Sequence, residues 1–266
     1  MKKIIGWIVV FATIGAFAYY FWNHAQKPPP DPAVAKDIGV ASVTPAPTPA
    51  KNKPVETLPV RPASSLPKLD ESDTNVAKEL SHLFGKENLL AYLETDKMIR
   101  RFVATIDNLP RQKAPERMMP MKPVPGSFMV SEAEHVLAIN QANAKRYSGY
   151  VDLVRAVSVP ALVDLYVKFY PLCQQAYREL GFPAGQFNDR LIEALDDLIA
   201  APDVPPPVGL VQPKVLFQYA DPEIEARSAG QKIMIRMGGD NEARVKAVLR
   251  SIRKEILLRT NTVFRN

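Results

Sequence analysis

The chain has 266 residues, 47% of them hydrophobic and 23% charged, with 25 prolines, 12 glycines, one cysteine and a formal charge of +6. This composition excludes a collagen-like repeat, a disulfide-stapled miniprotein and a wholly disordered chain, and it leaves room for one ordinary core or two small ones. The distribution is uneven: eleven prolines fall within residues 27–67, and the 19 residues 4–22 carry no charge.

At about 1.5 Å rise per residue, a helix over residues 4–22 just covers the roughly 30 Å hydrocarbon layer of a bilayer. Lys2, Lys3 and the α-amino group precede it and only Lys27 follows closely, so the positive-inside bias holds the N-terminus in the cytoplasm and everything after His24 outside. Tyr19, Tyr20, Phe21 and Trp22 gather at the far end, where amphipathic rings favour the headgroup region. The competing reading is a signal peptide cut after Ala16-Phe17-Ala18, whose small-x-small form suits a signal peptidase. A retained anchor is preferred, because apolar aromatics continue past that cut.

In residues 27–67 the prolines remove backbone donors and bias their neighbours toward extended structure, and the few apolar residues follow no period. The stretch reads as a semi-stiff tether, reaching at most roughly 130 Å at about 3.1 Å per residue. The expected organisation is an N-terminal transmembrane signal anchor (1–23), a Pro-rich disordered spacer (24–70) and a helical periplasmic domain (71–266).

Within that domain Ser72 opens a helix carrying Val76, Leu80, Leu83 and Phe84 on one face, and Gly85 stops it. After a short segment over residues 86–93, Thr95 is placed to cap a helix with Met98, Ile99, Phe102, Val103, Ile106 and Leu109 at spacings of three and four. Pro110 ends it, and Pro115, Pro120, Pro123 and Pro125 keep the following stretch irregular. Residues 127–130 and 136–139 read as a small hairpin about a polar turn at 131–135. The alternative is a helix opening at the capping-box-like Ser131-Glu132-Ala133-Glu134. Helix follows over residues 140–157, with Tyr147, Tyr150, Val151 and Val154 inward.

Ser158 then caps a long apolar helix with Pro160 in its first turn and Gly181 as its stop. This is the expected centre of the core, and Pro171 inside it should bend or split it, because proline cannot donate to the carbonyl four residues back. Phe187, Leu191, Leu195, Leu198 and Ile199 mark another amphipathic helix ending before Pro202. Residues 208–211 and 214–219 read as a second small hairpin, with Pro213 at an edge or turn. Asp221 and Pro222 open a helix that runs to Gly238-Gly239, and Asp240 caps the last one. The fold class is therefore mainly α: a single-pass membrane helix plus a compact multi-helix domain with one or two small β-hairpins.

Signatures of chemistry are scarce. The sequence contains no Walker loop, Rossmann glycine pattern, GxSxG elbow, HExxH or CxxC pair. His24, His82 and His135 are too scattered to make a metal site, and Glu132-x-x-His135 lacks the second copy that a di-iron bundle needs. Cys173 reads as a small core residue. The pairs Asp196-Asp197 and Glu223-x-Glu225 read as wetted helix faces, since sequence neighbours on a helix do not face one another. No catalytic, cofactor-binding or metal-ligating residue is expected.

Charge is more informative. From Asn241 onward there are seven basic and two acidic residues, whereas residues 67–240 carry 20 basic and 23 acidic ones. On the last helix Val245, Val248, Leu249, Ile252 and Ile256 line one side, and Lys246, Arg250, Arg253 and Lys254 occupy the opposite sector as a candidate binding surface. Arg236, Gly238, Gly239 and Asn241, around a glycine pair before a helix N-terminus, form a candidate anion or partner loop. A helix stop followed by an Asp cap explains the same residues without a ligand. Outside the membrane the available polyanions are anionic lipid headgroups, cell-wall polymers and acidic proteins, and no nucleic acid is expected.

The chain resembles an uncharacterised family of bacterial envelope proteins defined by a domain of unknown function. The resemblance rests on the anchor and spacer, on Lys145-Arg146-Tyr147 with Tyr150, on Leu165-Tyr166 with Tyr170-Pro171-Leu172, and on the run from Gln175 to Pro183. Gln231-Lys232, Arg236-Met237-Gly238 and Asn241 complete it, over about residues 70–260. It implies location and a single helical domain, and it brings no reaction, cofactor or catalytic residue.

The expected function is a membrane-anchored periplasmic non-catalytic adaptor or scaffold, held in the inner membrane by residues 4–22 and contacting an envelope protein or an anionic envelope surface. The alternative is a periplasmic enzyme, such as a cell-wall hydrolase, using carboxylates assembled by the fold. The anchor is directly testable: the full-length protein should stay with the membrane fraction until detergent is added, and a soluble product beginning at Tyr19 would refute retention.

Overall fold

The computed structural model describes residues 66–133 and 135–262. The expected anchor at 4–22 and the expected spacer up to residue 65 lie outside them. Among the described residues no helix is long and apolar enough to cross a membrane.

In chain order the helices are α1 (Asp73–Phe84), α2 (Lys86–Tyr92), α3 (Met98–Asn108), α4 (Asn143–Ala156), α5 (Val159–Glu179) and α6 (Phe187–Ile199), then α7 (Pro222–Glu225), α8 (Ala229–Arg236) and α9 (Gly239–Thr262). Four short strands, β1 (Val130–Ala133), β2 (Val136–Ile139), β3 (Gly209–Val211) and β4 (Gln218–Tyr219), make one antiparallel sheet in that order. The two expected hairpins exist, and they pair with each other through Leu137 opposite Leu210 and Ala138 opposite Gly209. The first hairpin lies further along the chain than its apolar run, because β1 takes up Ser131 and Glu132, leaving His135 in the turn with φ +65°. The helix alternative at Ser131 is thereby excluded.

The main core lies where α3, α5, α6 and α9 meet. Phe187 is fully buried and meets Phe102 and Tyr177 at ring distances of 5.8 and 5.6 Å; burying such a side chain contributes about 1.5–3 kcal/mol. Val163, Phe169, Leu172, Cys173, Leu195 and Ile256 complete it. The helix α5 is its centre, as its apolar sequence requires, and it continues unbroken for 21 residues through Pro171. The expected split does not occur: Pro171 lies mid-helix between Tyr170 and Leu172, both deep in the core, and that packing outweighs one missing backbone bond. A second cluster, with Leu210, Tyr219, Ile224 and Ile235, joins the sheet to α7 and α8.

Helix starts differ most from the sequence reading, because distant residues supply the caps. The Lys97 and Met98 N–H groups donate to the Asp73 carboxylate at 2.6 and 2.9 Å. The cap of α3 is therefore Asp73 on α1, with Lys97 at φ +51°, and Thr95 is exposed. Ser158 and Ser72 sit at helix starts without making side-chain caps; the Ser72 hydroxyl donates to Leu69 O at 2.7 Å. The expected single helix from Pro222 to Gly238 is two. Asp221 caps α7 by accepting from Glu223 N–H at 2.8 Å, and Ser228 caps α8 by accepting from Gln231 N–H at 3.0 Å.

That break has a physical cause. The N–H groups of Ala229 and Gly230 donate to Arg111 O and Leu109 O, at 2.6 and 2.9 Å, so the open donors of α8 satisfy open carbonyls just past the end of α3. Gly230 permits the approach, since a Cβ there would lie 2.7 Å from Leu198 Cδ2 and 3.2 Å from Leu109 O. Replacing Asp73 by Ala should lower the unfolding free energy by about 1–2 kcal/mol, measured by urea denaturation, and a Thr95→Ala variant should be close to neutral.

Candidate functional site

The terminal helix α9 packs against α4, α5 and α6, and that seating sorts its cations into two groups. Lys246 belongs to the interior. Its side chain is 6% exposed, and its Nζ lies 2.7 Å from Glu242 Oε1, 2.7 Å from Asp203 Oδ1 and 2.7 Å from Ala201 O. Burial by itself lowers the Lys246 pKa, but hydrogen bonds to Asp203 and Glu242 outweigh it and raise the value. In return the Lys246 hydrogen bond holds the Asp203 carboxyl below its ordinary range. Lys246 is thus removed from the expected outer face: buried Glu242 one turn earlier and exposed Asp203 beyond α6 hold its ammonium from two sides, and a helical projection does not reveal the second.

Arg253 is neutralised on the surface. Its Nε donates to Asp196 Oδ1 and its Nη2 lies 3.1 Å from Asp196 Oδ2, and the Asp196 hydrogen bond raises the Arg253 pKa. Arg259 is held at 2.8 Å by both Asp164 and Glu255. Among the described residues Arg250 and Lys254 are exposed and have no carboxylate within salt-bridge distance. These two stand with Arg253 and Asp196 around an open groove of about 460 Å³ between α6 and α9, whose apolar lining is Ile199, Leu257 and Leu258. Three of the four basic residues expected to form a surface are brought together there.

The second candidate, the loop around Gly238-Gly239, is committed to the fold. Arg236 places its guanidinium 5.5 Å from the Phe128 ring centre and 5.8 Å from that of Tyr219, so ring faces answer its charge. Asn241 is buried, and its Nδ2 donates to Ala144 O at 2.9 Å and Met237 O at 3.0 Å. Gly238 takes φ +86°, and a Cβ there would press on that of Ala144 at 3.3 Å. Its carbonyl accepts from Glu242 N–H at 2.9 Å, so α9 starts at Gly239 and exposed Asp240 lies inside the first turn instead of capping it. Gly238 and Asn241 thus fasten the loop to Ala144 of α4, and Arg236 fastens it to the Phe128 and Tyr219 rings.

The carboxylate pairs separate in the same way. Asp196 faces Arg253, whereas Asp197 accepts from the Ser228 hydroxyl at 2.6 Å and from Gln231 Nε2 at 3.1 Å; burial raises its pKa. Glu225 accepts from Tyr219 N–H at 3.0 Å and lies 3.3 Å from Lys232 Nζ, while Glu223 is exposed. The Cys173 thiol is buried and pushed up to about 12 by that burial, so it is a packed thiol and no thiolate nucleophile. Among the described residues no group of three or more His, Cys, Asp or Glu is placed to hold a metal ion.

The sequence gives no signal for the exposed Val215 and Leu216 at the β3–β4 turn, or for the approach of Arg190 to the buried Asp107 at 3.2 Å, whereas Arg111, four residues on, also pairs with Asp107 at 2.7 Å. Motif residues are staples: Arg146 donates to Pro125 O and Gly126 O at 2.9 and 2.7 Å, and the Tyr150 hydroxyl donates to Lys122 O at 3.0 Å.

The structure thus defines a mainly helical domain with a four-stranded antiparallel sheet and a cationic groove beside its last helix. The family described as proteins of unknown function, DUF3014, matches residues 98–253, from the start of α3 into α9, and the chain belongs to it. No curated protein and no solved structure matches the chain.

Removing Lys246 leaves Glu242, 2% exposed, without its cation. Lys246→Met should therefore cost about 3 kcal/mol in urea denaturation, and adding Glu242→Leu should recover most of it. The Asp203 carboxyl, held below its ordinary value by Lys246, contributes stability above the usual carboxylate range, and that stability is lost as pH falls through the depressed native value. Asp203→Asn should flatten the acid side of the stability curve.

Proposed function

We propose that this protein is a membrane-anchored, periplasmic, non-catalytic adaptor of the bacterial cell envelope. The uncharged stretch 4–22 supplies the anchor and the proline-rich residues 27–67 a spacer, so the folded domain works at a distance from the bilayer. The single observation that carries the adaptor reading is the unequal treatment of cations on α9. Lys246, Arg253 and Arg259 are held in salt bridges by the protein's own carboxylates, whereas among the described residues Arg250 and Lys254 have no carboxylate within salt-bridge distance and stand at the rim of an apolar-lined groove.

An unpaired charge beside apolar surface is where electrostatic complementarity gives a partner both steering and register. Arg250 and Lys254 are four residues apart and share one side of α9, so they present a single cationic edge. The domain is in this reading a ligand-holding module whose position is set by its tether.

In living cells, a photo-crosslinking residue at Leu258, beside the groove, should give a discrete high-mass adduct of the full-length chain. Arg250→Glu with Lys254→Glu should abolish the adduct. The same crosslinker at Leu90, an exposed position on α2, serves as the comparison. Equal adducts from both positions, or a chain that fractionates without the membrane, would remove the support for a tethered adaptor.

A further inference from the structure

We propose that the groove between α6 and α9, together with a second groove on the other side of α9, forms one docking surface for an acidic amphipathic helix of a partner protein. This rests on the adaptor reading and specifies its partner. The second groove encloses about 350 Å³ between α9 and the junction of α4 with α5; Val154, Val157 and Val248 line it, with Arg155 and Arg244 beside them. Arg244 is exposed and has no carboxylate within salt-bridge distance among the described residues. The nearest anion to Arg155 is Asp152, at 4.0 Å.

The α9 residues that line the two grooves run from Arg244 to Leu258, about 21 Å along the helix axis, or nearly four turns. The second groove takes α9 residues up to Ser251 and the first takes those from Arg250 onward, so the two are staggered along the ridge of α9, and a partner helix that crosses α9 obliquely packs its side-chain ridges into both. Five cations and one anion, Asp196, line these two grooves, so charge complementarity selects an acidic occupant. The apolar linings select one that carries an apolar stripe as well. A second copy docking through the same face would set Arg244, Arg250 and Lys254 against their equivalents. A flat anionic bilayer would meet the cations and leave the concave apolar linings unfilled.

The test uses the full-length chain in zwitterionic detergent micelles and a fluorescent 21-residue helical peptide with Glu on one face and Leu at spacings of three and four on the other. The peptide should bind, and binding should weaken with added salt. Arg250→Glu with Lys254→Glu, and separately Arg244→Glu, should each weaken it about tenfold. Lys214→Glu, at an exposed position in the β3–β4 turn, should leave it unchanged, and unfolding curves confirm that the exposed-site variants stay folded. Equal binding of a peptide with Ser in place of Leu, or with Lys in place of Glu, overturns the proposal. So does binding only to vesicles containing phosphatidylglycerol, or self-association of the chain that Arg250→Glu abolishes. Loss of peptide binding with membrane fractionation intact rejects the helix partner alone, whereas release of the chain from membranes rejects the tethered reading.

Discussion

The buried ammonium of Lys246 fixes the rotation of the terminal helix, and that helix closes the main core against α4, α5 and α6. An ammonium 6% exposed is tolerable only because three oxygens, from Glu242, Asp203 and Ala201, sit at 2.7 Å from it; without them its desolvation would cost several kcal/mol. Two of those oxygens belong to the segment after α6. The pairing therefore ties α9 to that segment and turns Ile256 into the main core beside Val163 and Phe187. The same rotation carries Arg244, Arg250 and Lys254 outward, so the cationic face is a consequence of the buried pair.

Elsewhere the fold relies on single side chains that bond to the backbone of remote segments. Asn143 accepts from Met129 N–H at 3.0 Å and donates to Met129 O at 2.6 Å, which fastens the chain just before β1 to the start of α4. Gln174 donates to Gly185 O at 2.8 Å and accepts from Phe187 N–H at 2.9 Å, which closes the turn between α5 and α6. Such bonds satisfy buried backbone groups that no neighbouring strand or helix reaches. Arg146, Tyr150, Gln231 and Asn241 act in the architecture in the same way.

The helices with strong apolar periodicity were legible from the sequence, and α3, α5 and α6 fall where Met98, Pro160 and Phe187 place them. Their packing faces were legible for the same reason. What escaped was any feature set by a partner distant in the chain: the Asp73 cap on α3, the joining of two hairpins through Leu137 and Leu210, and the break between α7 and α8 where Leu109 and Arg111 offer carbonyls. Of the candidate surface, Arg250, Arg253 and Lys254 were visible as one sector of a helix, and Lys246 was misplaced because Asp203 lies 43 residues away.

By itself the sequence determined the composition of each segment: an uncharged stretch of 19 residues, a proline-dense stretch, and a near-neutral body ending in a basic helix. Local periodicity and composition are properties of neighbours, so they can be read along the chain. Only the tertiary structure decided which positive charges remain available, because an ion pair depends on separation in space and on burial. Seven basic residues follow Asn241 in the sequence, and folding leaves Arg244, Arg250 and Lys254 on one face of α9 with no carboxylate within salt-bridge distance among the described residues.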